Sequence, residues 1–236
     1  MFTTENIRAA FKAAVPIMLG YVAIGLPCGI LSASIGLNAL QVFIMCALFY
    51  SGAGQFMIPN MWLAGSPIAS IVASVSFVNT RQMLYSTAFA PWVEGASKRL
   101  AFLFAATVTD ESFGVNMQQF ERGGWTVARA TLVNLCSQSS WTISCVVGTF
   151  IGSALADFIP LAIAAFAMTS IFICLLVTQK LTAANVVAAV CAIVGVFLCK
   201  AVGLTGPAIF LGAIIGVVCA FAFSRIREGV RAHGAD

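Results

Sequence analysis

The stretch from Ala13 to Ile35, AAVPIMLGYVAIGLPCGILSASI, contains no charged residue. It exceeds the roughly 20 apolar residues that a helix needs to cross a bilayer. Its apolar residues are continuous and do not alternate with polar ones, so the pattern favours a helix over a barrel strand. A cleavable signal peptide is the alternative for this end of the chain, but the run is longer than such a segment requires and further apolar runs follow.

The whole chain resembles this stretch in composition. Of its 236 residues, 61% are hydrophobic and 8% are charged, whereas soluble domains carry about 25% charged residues. The mean hydropathy is +1.01. Lipid is therefore the predicted solvent, and because backbone polar groups in lipid need partners within the protein, the predicted fold is all-α.

We predict a single transmembrane transporter domain over residues 1–236, built as a polytopic helical bundle of about eight segments, some of them broken. The segments are Ala13–Ile35, Leu40–Trp62, Pro67–Ala90, Leu100–Gln118, Trp125–Ile151, Phe158–Val177, Ala183–Val202 and Pro207–Phe223. Ile35-Gly36 and Ile151-Gly152 each precede an apolar run, which suggests an internal repeat with its boundary near Glu121.

The lysines and arginines between the segments indicate which side each loop faces. With eight spans and a cytoplasmic N-terminus, the inner side holds Arg8, Lys12, Arg122, Arg129, Lys180, Arg225, Arg227 and Arg231. The outer side then holds Lys98, Arg99 and Lys200. Seven spans, with residues 67–90 re-entrant, would remove this bias, so we expect both termini in the cytoplasm.

Several kinds of chemistry lack their motifs in this sequence. The eight cysteines lie singly without a C-x-x-C pair, which favours packing roles over disulfides or metal binding. The one histidine, His233, lies in the polar tail, so no zincin motif or Ser-His triad lies within the membrane. No Walker A motif is present. We therefore predict no cofactor or metal, and the net charge of +4 reflects membrane-facing loops rather than nucleic-acid binding.

The second segment is interrupted by the sequence Ser51-Gly52-Ala53-Gly54-Gln55. Two glycines could simply allow close helix packing. Alternatively, Ser51, Gly52 and Gly54 form a helix break whose backbone faces a cavity. Gln55 favours the break, because a buried amide needs partners that a substrate or a facing helix would supply.

The third segment contains Asn79, Arg81, Gln82 and Tyr85. An arginine in mid-span costs at least about 2.5–3.5 kcal/mol on insertion scales. On a regular helix Asn79 and Gln82 share one face, and Arg81 and Tyr85 share another. One cavity could receive all four only if the helix breaks there, so we predict a break at residues 79–82.

The fourth segment carries the adjacent carboxylates of Asp110 and Glu111. They either lie at a span end facing water or are functional. Within the spans, Arg81 can neutralise one of them, and the other must bind a cation, bind a substrate ammonium or hold a proton. A carboxylate that exchanges a proton is what proton coupling requires, so we expect these residues to act in substrate binding or coupling. In the fifth segment, Asn134 and Gln138 either join helices or line a cavity.

Three motifs resemble those of the bacterial AzlC family, the large subunit of a two-component branched-chain amino acid exporter. They are Ser51-Gly52-Ala53-Gly54-Gln55-Phe56, Val78-Asn79-Thr80-Arg81-Gln82-Met83-Leu84-Tyr85 and Thr109-Asp110-Glu111-Ser112-Phe113. The family's forms look like G-A-x-Q-F, V-N-x-R-H-x-L-Y and T-D-E-x-F. Gln82 departs from the family by replacing its usual histidine, which puts any proton relay at this position in doubt.

The resemblance implies a secondary exporter of leucine, isoleucine, valine and, as a further candidate, methionine. It implies a location in the bacterial inner membrane, a small AzlD-type membrane partner, and a proton gradient as the drive. The residues expected to bind substrate or couple are Gln55, Asn79, Arg81, Gln82, Tyr85, Asp110 and Glu111, with Phe49, Phe56 and Met83 shaping a side-chain pocket. The alternatives are an intramembrane enzyme using Asp110 and Glu111 as acid and base, and a scaffolding subunit of a membrane complex.

Overall fold

The computed structural model describes residues 3–155, 158, 161–178, 182–203 and 208–233. In that part of the chain the regular secondary structure is entirely helical, which confirms the predicted all-α class. The helices are α1 (Thr4–Ser34), α2 (Ala39–Leu48), α3 (Gly52–Leu63), α4 (Ile68–Ala88), α5 (Ala90–Val93), α6 (Lys98–Ala106), α7 (Asp110–Arg122), α8 (Val127–Ala154), α9 (Leu161–Thr178), α10 (Ala183–Ala201) and α11 (Ala208–His233).

Among the described residues, two helices are each long and apolar enough to cross a membrane by themselves, α1 and α10, and α2 is a shorter apolar helix. Helix α8 has the length to cross, but it carries many buried polar residues. The residues Lys180 and Pro207, which entered the span and orientation predictions, lie outside the described residues. Eight spans and their sidedness stay predictions.

The chain divides into two compact units, one of residues 1–64 and 78–170 and one of residues 65–77 and 171–236. The centre of the first unit is the contact between α1 and α8. A Cβ on Gly25 would lie 2.7 Å from the Ser144 Cβ, and one on Gly152 would lie 2.8 Å from the Ile30 Cα. Glycines four apart on both helices, as in small-xxx-small motifs, therefore allow the two backbones to touch.

Helices α1 and α8 run parallel, since Gly25 lies beside Ser144 and Ile30 beside Gly152. Their N-terminal ends are joined by Arg129, whose Nε donates to Asn6 at 2.7 Å and whose Nη2 contacts Glu5 at 3.3 Å. The second unit contains a smaller version of the same packing, in which Gly195, Gly212 and Gly216 bring α10 and α11 together in antiparallel fashion.

Two of the predicted segments are broken. The first break lies where the sequence predicts it, but the second lies in the fourth segment and not in the third. The second segment divides into α2 and α3, and the fourth divides into α6 and α7. The predicted break at residues 79–82 is wrong, because α4 runs without interruption from Ile68 to Ala88. Helices α8 to α11 are uninterrupted over their described residues, so the positions of the breaks do not support the internal repeat.

Candidate functional site

The first break lies between the end of α2 at Leu48 and the start of α3 at Gly52. Ser51 is the N-cap of α3 and its hydroxyl accepts from the Gly54 N–H at 3.1 Å. A Cβ on Gly54 would lie 2.8 Å from Phe49 Cζ and 2.9 Å from Ser51 Oγ. Gly54 therefore lets the chain turn tightly back onto its own break.

Gln55 lies next to this break and is fully buried. Its amide nitrogen donates to the Phe49 carbonyl at 2.5 Å, and its carbonyl oxygen accepts from Trp141 Nε1 at 2.7 Å. A facing helix, α8, thus supplies one of the partners that a buried amide needs. Gln55 therefore fixes the connection between α2 and α3 against α8.

The second break lies between the end of α6 at Ala106 and the start of α7 at Asp110. Thr109 and Ser112 form a reciprocal capping box at the start of α7. Asp110 and Glu111 occupy the first turn, where the positive end of the helix dipole favours carboxylates. The two acidic residues therefore lie at a break inside the segment rather than at its end.

Two amides from α8 donate to carbonyls in the last turns of the helices that end at the breaks. Asn134 Nδ2 donates to the Phe104 carbonyl at 3.3 Å and to the Thr107 hydroxyl at 3.3 Å, at the end of α6. Gln138 Nε2 donates to the Cys46 carbonyl at 3.2 Å, at the end of α2. Asn134 and Gln138 thus join helices at two separate breaks and do not line one cavity.

The unbroken helix α4 presents one polar face to each break. On one face, Asn79 accepts from the Ser51 hydroxyl at 2.6 Å and Gln82 donates to the Tyr50 carbonyl at 3.3 Å. On the other face, Arg81 Nη2 lies 2.8 Å from Asp110 Oδ2. Because each face reaches a different break, α4 need not break for all its polar side chains to find partners.

Asp110 and Glu111 are adjacent in sequence, but their surroundings differ. Asp110 contacts Arg81 and also accepts from the Tyr85 hydroxyl at 2.5 Å. Glu111 accepts from the Tyr21 hydroxyl at 2.6 Å and is exposed. Among the described residues no basic side chain forms an ion pair with Glu111. The unmatched negative charge expected from the sequence is therefore on Glu111.

Two buried polar atoms near these carboxylates lack a hydrogen-bond partner among the described residues, the Tyr50 hydroxyl and Arg81 Nε. The Tyr50 side chain is 8% exposed, and its ring packs edge-to-face on Tyr21 at 6.5 Å between centroids. A buried donor without a partner costs about 1–3 kcal/mol. Each group therefore has a hydrogen-bond donor that the described residues leave unused.

Sequence reasoning missed Tyr21 and Tyr50, although a signal for them was present. The chain has three tyrosines, and all three lie in apolar runs. A buried tyrosine usually finds a partner for its hydroxyl. Here Tyr21 binds Glu111 and Tyr85 binds Asp110.

The side-chain pocket expected from Phe49, Phe56 and Met83 does not form in the described residues. Phe56 is fully buried against Trp141, with ring centroids 6.4 Å apart. Met83 is 71% exposed on α4, because it faces away from both breaks, and Phe49 packs near Gly54.

A helical bundle with two broken helices and ionisable side chains at the breaks is typical of membrane transport proteins. The family model described as AzlC protein matches residues 16–155. The chain therefore belongs to the AzlC family, as its three motifs suggested.

The relatives of the chain include named membrane proteins. It is 27% identical over 215 residues to the Inner membrane protein YgaZ of Escherichia coli, covering 88% of this chain and 85% of that protein. It is 27% identical over 151 residues to the Branched-chain amino acid transport protein AzlC of Bacillus subtilis, covering 62% of this chain and 58% of that protein. An uncharacterized membrane protein of Helicobacter pylori is 28% identical over 176 residues, covering 74% of this chain and 76% of that protein. No solved structure matches.

Proposed function

We propose that this protein is a secondary transporter that exports leucine, isoleucine, valine and methionine across the bacterial inner membrane. Membership of the AzlC family supports a role in membrane transport. The name of the Bacillus subtilis relative supports amino acids as the substrate class. The proposal assigns no catalytic role to Asp110 or Glu111. It includes coupling of export to protons and a small AzlD-type partner subunit.

The observation that carries the proposal is the carboxylate of Glu111, which has no basic partner in the described residues. It is adjacent to the ion pair of Arg81 with Asp110. A zwitterionic amino acid needs an anion for its ammonium and donors for its carboxylate. Glu111 or Asp110 supplies the anion, and the free Nε of Arg81 supplies a donor.

The other predicted site residues have supporting roles at the two breaks. Asn79 and Gln82 contact Ser51 and the Tyr50 carbonyl at the first break, and Tyr85 contacts Asp110. Gln55 holds the first break against Trp141. We propose that Asn79, Gln82 and Tyr85 keep the two breaks in position during transport, since broken helices hold the binding sites of many transporters.

Proton coupling follows if one carboxylate binds a proton and the substrate ammonium in turn. Both are cations and compete for the same negative charge. Entry of a proton from outside would then release the ammonium, which drives export. Gln82 cannot exchange protons, so the proposal places the exchange on a carboxylate.

The test is counterflow of labelled leucine in proteoliposomes, with and without the small subunit, under an imposed pH gradient. We expect unlabelled leucine, isoleucine, valine and methionine to stimulate exchange, and an inward proton gradient to accelerate export. The exposed Glu121 on the same helix gives a matched control, because Glu121→Gln removes a carboxylate outside the site. Absence of stimulation by all four amino acids would contradict the substrate assignment, and transport that is independent of pH would contradict proton coupling.

A further inference from the structure

Glu111 forms part of the wall of an open cleft between α1 and α7. The cleft has a volume of 270 Å³ and is lined by Pro16, Ile17, Gly20, Tyr21, Ile24, Glu111 and Val115. Apart from the Tyr21 hydroxyl and the Glu111 carboxylate, the side chains that line it are aliphatic. Pockets for drug-sized ligands measure about 300–1,000 Å³, so this cleft suits a smaller molecule.

The charge balance at the breaks separates the two carboxylates. Asp110 is matched by Arg81 at 2.8 Å and by the Tyr85 hydroxyl. In the described part of the chain, the one hydrogen-bond partner of the Glu111 carboxylate is the neutral hydroxyl of Tyr21. A carboxylate in a weakly polar environment binds a cation more strongly than it would in water. Among the residues that line the cleft, only Glu111 is charged, and it lies beside an aliphatic wall.

We propose that this cleft binds the ammonium group and the branched aliphatic side chain of the substrate, with Glu111 as the ligand of the ammonium. Asp110 is then a positioning residue, which holds Arg81. This inference rests on the proposed function and deepens it, because it places the branched-chain end of the substrate on α1 rather than near Phe56 and Met83. The aliphatic residues Ile17, Ile24 and Val115 give the preference for a branched apolar group.

The other ionisable groups near Glu111 come from three elements. Tyr21 from α1 binds it directly. Tyr50 from the first break and Tyr85 from α4 lie close enough to interact with it electrostatically. Arg81 contacts the neighbouring Asp110.

The test uses two halves of leucine as probes of the purified full-length protein in detergent. One is 3-methylbutylamine, which has the ammonium and the branched chain, and the other is 4-methylpentanoate, which has the carboxylate and the branched chain. Binding is measured by titration and by the rise in melting temperature that a ligand of the folded state produces. We expect Glu111→Gln to raise the Kd of the amine at least tenfold, while the Kd of 4-methylpentanoate stays within about threefold. Glu121→Gln should leave both unchanged.

A second variant tests the aliphatic wall without removing a charge. No atom lies within 4 Å of a Cβ on Gly20, so a side chain has open space at this position and Gly20→Leu should extend into the cleft that Gly20 lines. We expect it to abolish binding of 3-methylbutylamine. The proposal is overturned if the amine does not bind the wild-type protein at millimolar concentration, or if it binds with an affinity that neither Glu111→Gln nor Gly20→Leu changes.

The same measurements separate this inference from the proposed function. Amine binding that depends on Glu111 and Gly20, in a protein that transports none of the four amino acids, would support the proposed binding cleft and contradict the export proposal. Transport of leucine that is unaffected by Gly20→Leu would support the export proposal and contradict substrate binding in the cleft.

Discussion

At the scale of single residues, the two carboxylates differ in the tyrosine hydroxyl that donates to each and in whether a basic side chain pairs with them. Tyr21 and Tyr50 come from neighbouring elements and stack edge-to-face, yet only Tyr21 has hydrogen-bond partners for its hydroxyl among the described residues, Thr109 and Glu111. The two tyrosines therefore make a matched pair for separating structural from ligand-binding roles.

We expect Tyr21→Phe to lower the stability of the ligand-free protein by about 1–2 kcal/mol, because it removes a hydrogen bond to a charged group. Tyr50→Phe should not lower stability and should raise it slightly, because it removes a buried hydroxyl that has no partner among the described residues. Thermal unfolding in detergent, followed by circular dichroism, measures both. Equal destabilisation by the two variants would contradict the arrangement described for Tyr21.

The ion pair of Arg81 with Asp110 gives a second prediction. Arg81→Gln leaves Asp110 without its counter-charge and should destabilise the protein by roughly 1–3 kcal/mol, less than for a fully buried pair because the side chains are 30% and 20% exposed. Adding Asp110→Asn should recover most of this loss. Leucine counterflow should stay low in the double variant, because Arg81 also supplies a donor to the substrate. Recovered transport would show that the pair is only structural.

At the scale of elements, α8 determines where the broken helices can end. Its amides at Asn134 and Gln138 donate to the Phe104 and Cys46 carbonyls, in the last turns of α6 and α2. Asn134 also accepts from Asn116 Nδ2 of α7 at 2.9 Å, so it contacts both sides of the second break. A buried polar network of this kind is stable only when all its members are satisfied.

Replacing Asn134 tests this role. Asn134→Leu removes the amide, so Asn116 Nδ2 loses its acceptor at 2.9 Å and the Phe104 carbonyl and Thr107 hydroxyl each lose one donor, which should cost about 1–3 kcal/mol. Ser139→Ala is the control, because Ser139 is exposed and its hydroxyl bonds only within α8, to the Leu135 carbonyl. Melting temperatures of the two variants in detergent give the comparison. A Ser139→Ala loss as large as that of Asn134→Leu would argue against the capping role.

At the scale of the whole molecule, the first unit depends on close contact between α1 and α8. A Cβ on Gly148 would collide with the Leu26 backbone. We expect Gly148→Leu to push the two helices apart and lower stability by at least about 1–3 kcal/mol. Size-exclusion chromatography in detergent should show loss of the monodisperse peak. Gly114→Ala is the control, since no atom lies within 4 Å of its Cβ, and a normal profile for Gly148→Leu would contradict the packing.

The placement of the chain in the membrane gives the last prediction. With eight spans and both termini in the cytoplasm, green fluorescent protein fused to either terminus should fluoresce. Alkaline phosphatase inserted after Ala96, in the connection between α5 and α6, should be active, because that loop is predicted to lie outside. Phosphatase activity at the C-terminus instead would indicate an odd number of spans.

The sequence by itself determined the helical class, the family and the presence of one unmatched negative charge. Long uncharged runs leave helices as the favourable solution in lipid, and Arg81, Asp110 and Glu111 are too costly in such runs to be incidental. The motif around Ser51 also indicated a break, because glycines, a serine and a glutamine interrupt an apolar run.

The tertiary structure decided which helices break and which carboxylate is unmatched. Residues 79–82 were expected to break, yet α4 is continuous because its two faces reach partners in two different elements. The break at residues 107–109 and the assignment of the free charge to Glu111 depend on Asn134, Tyr21 and Tyr85, which are distant in sequence. Local pattern cannot specify such contacts, since each partner's position is set by helix packing, above all by the glycines that join α1 to α8.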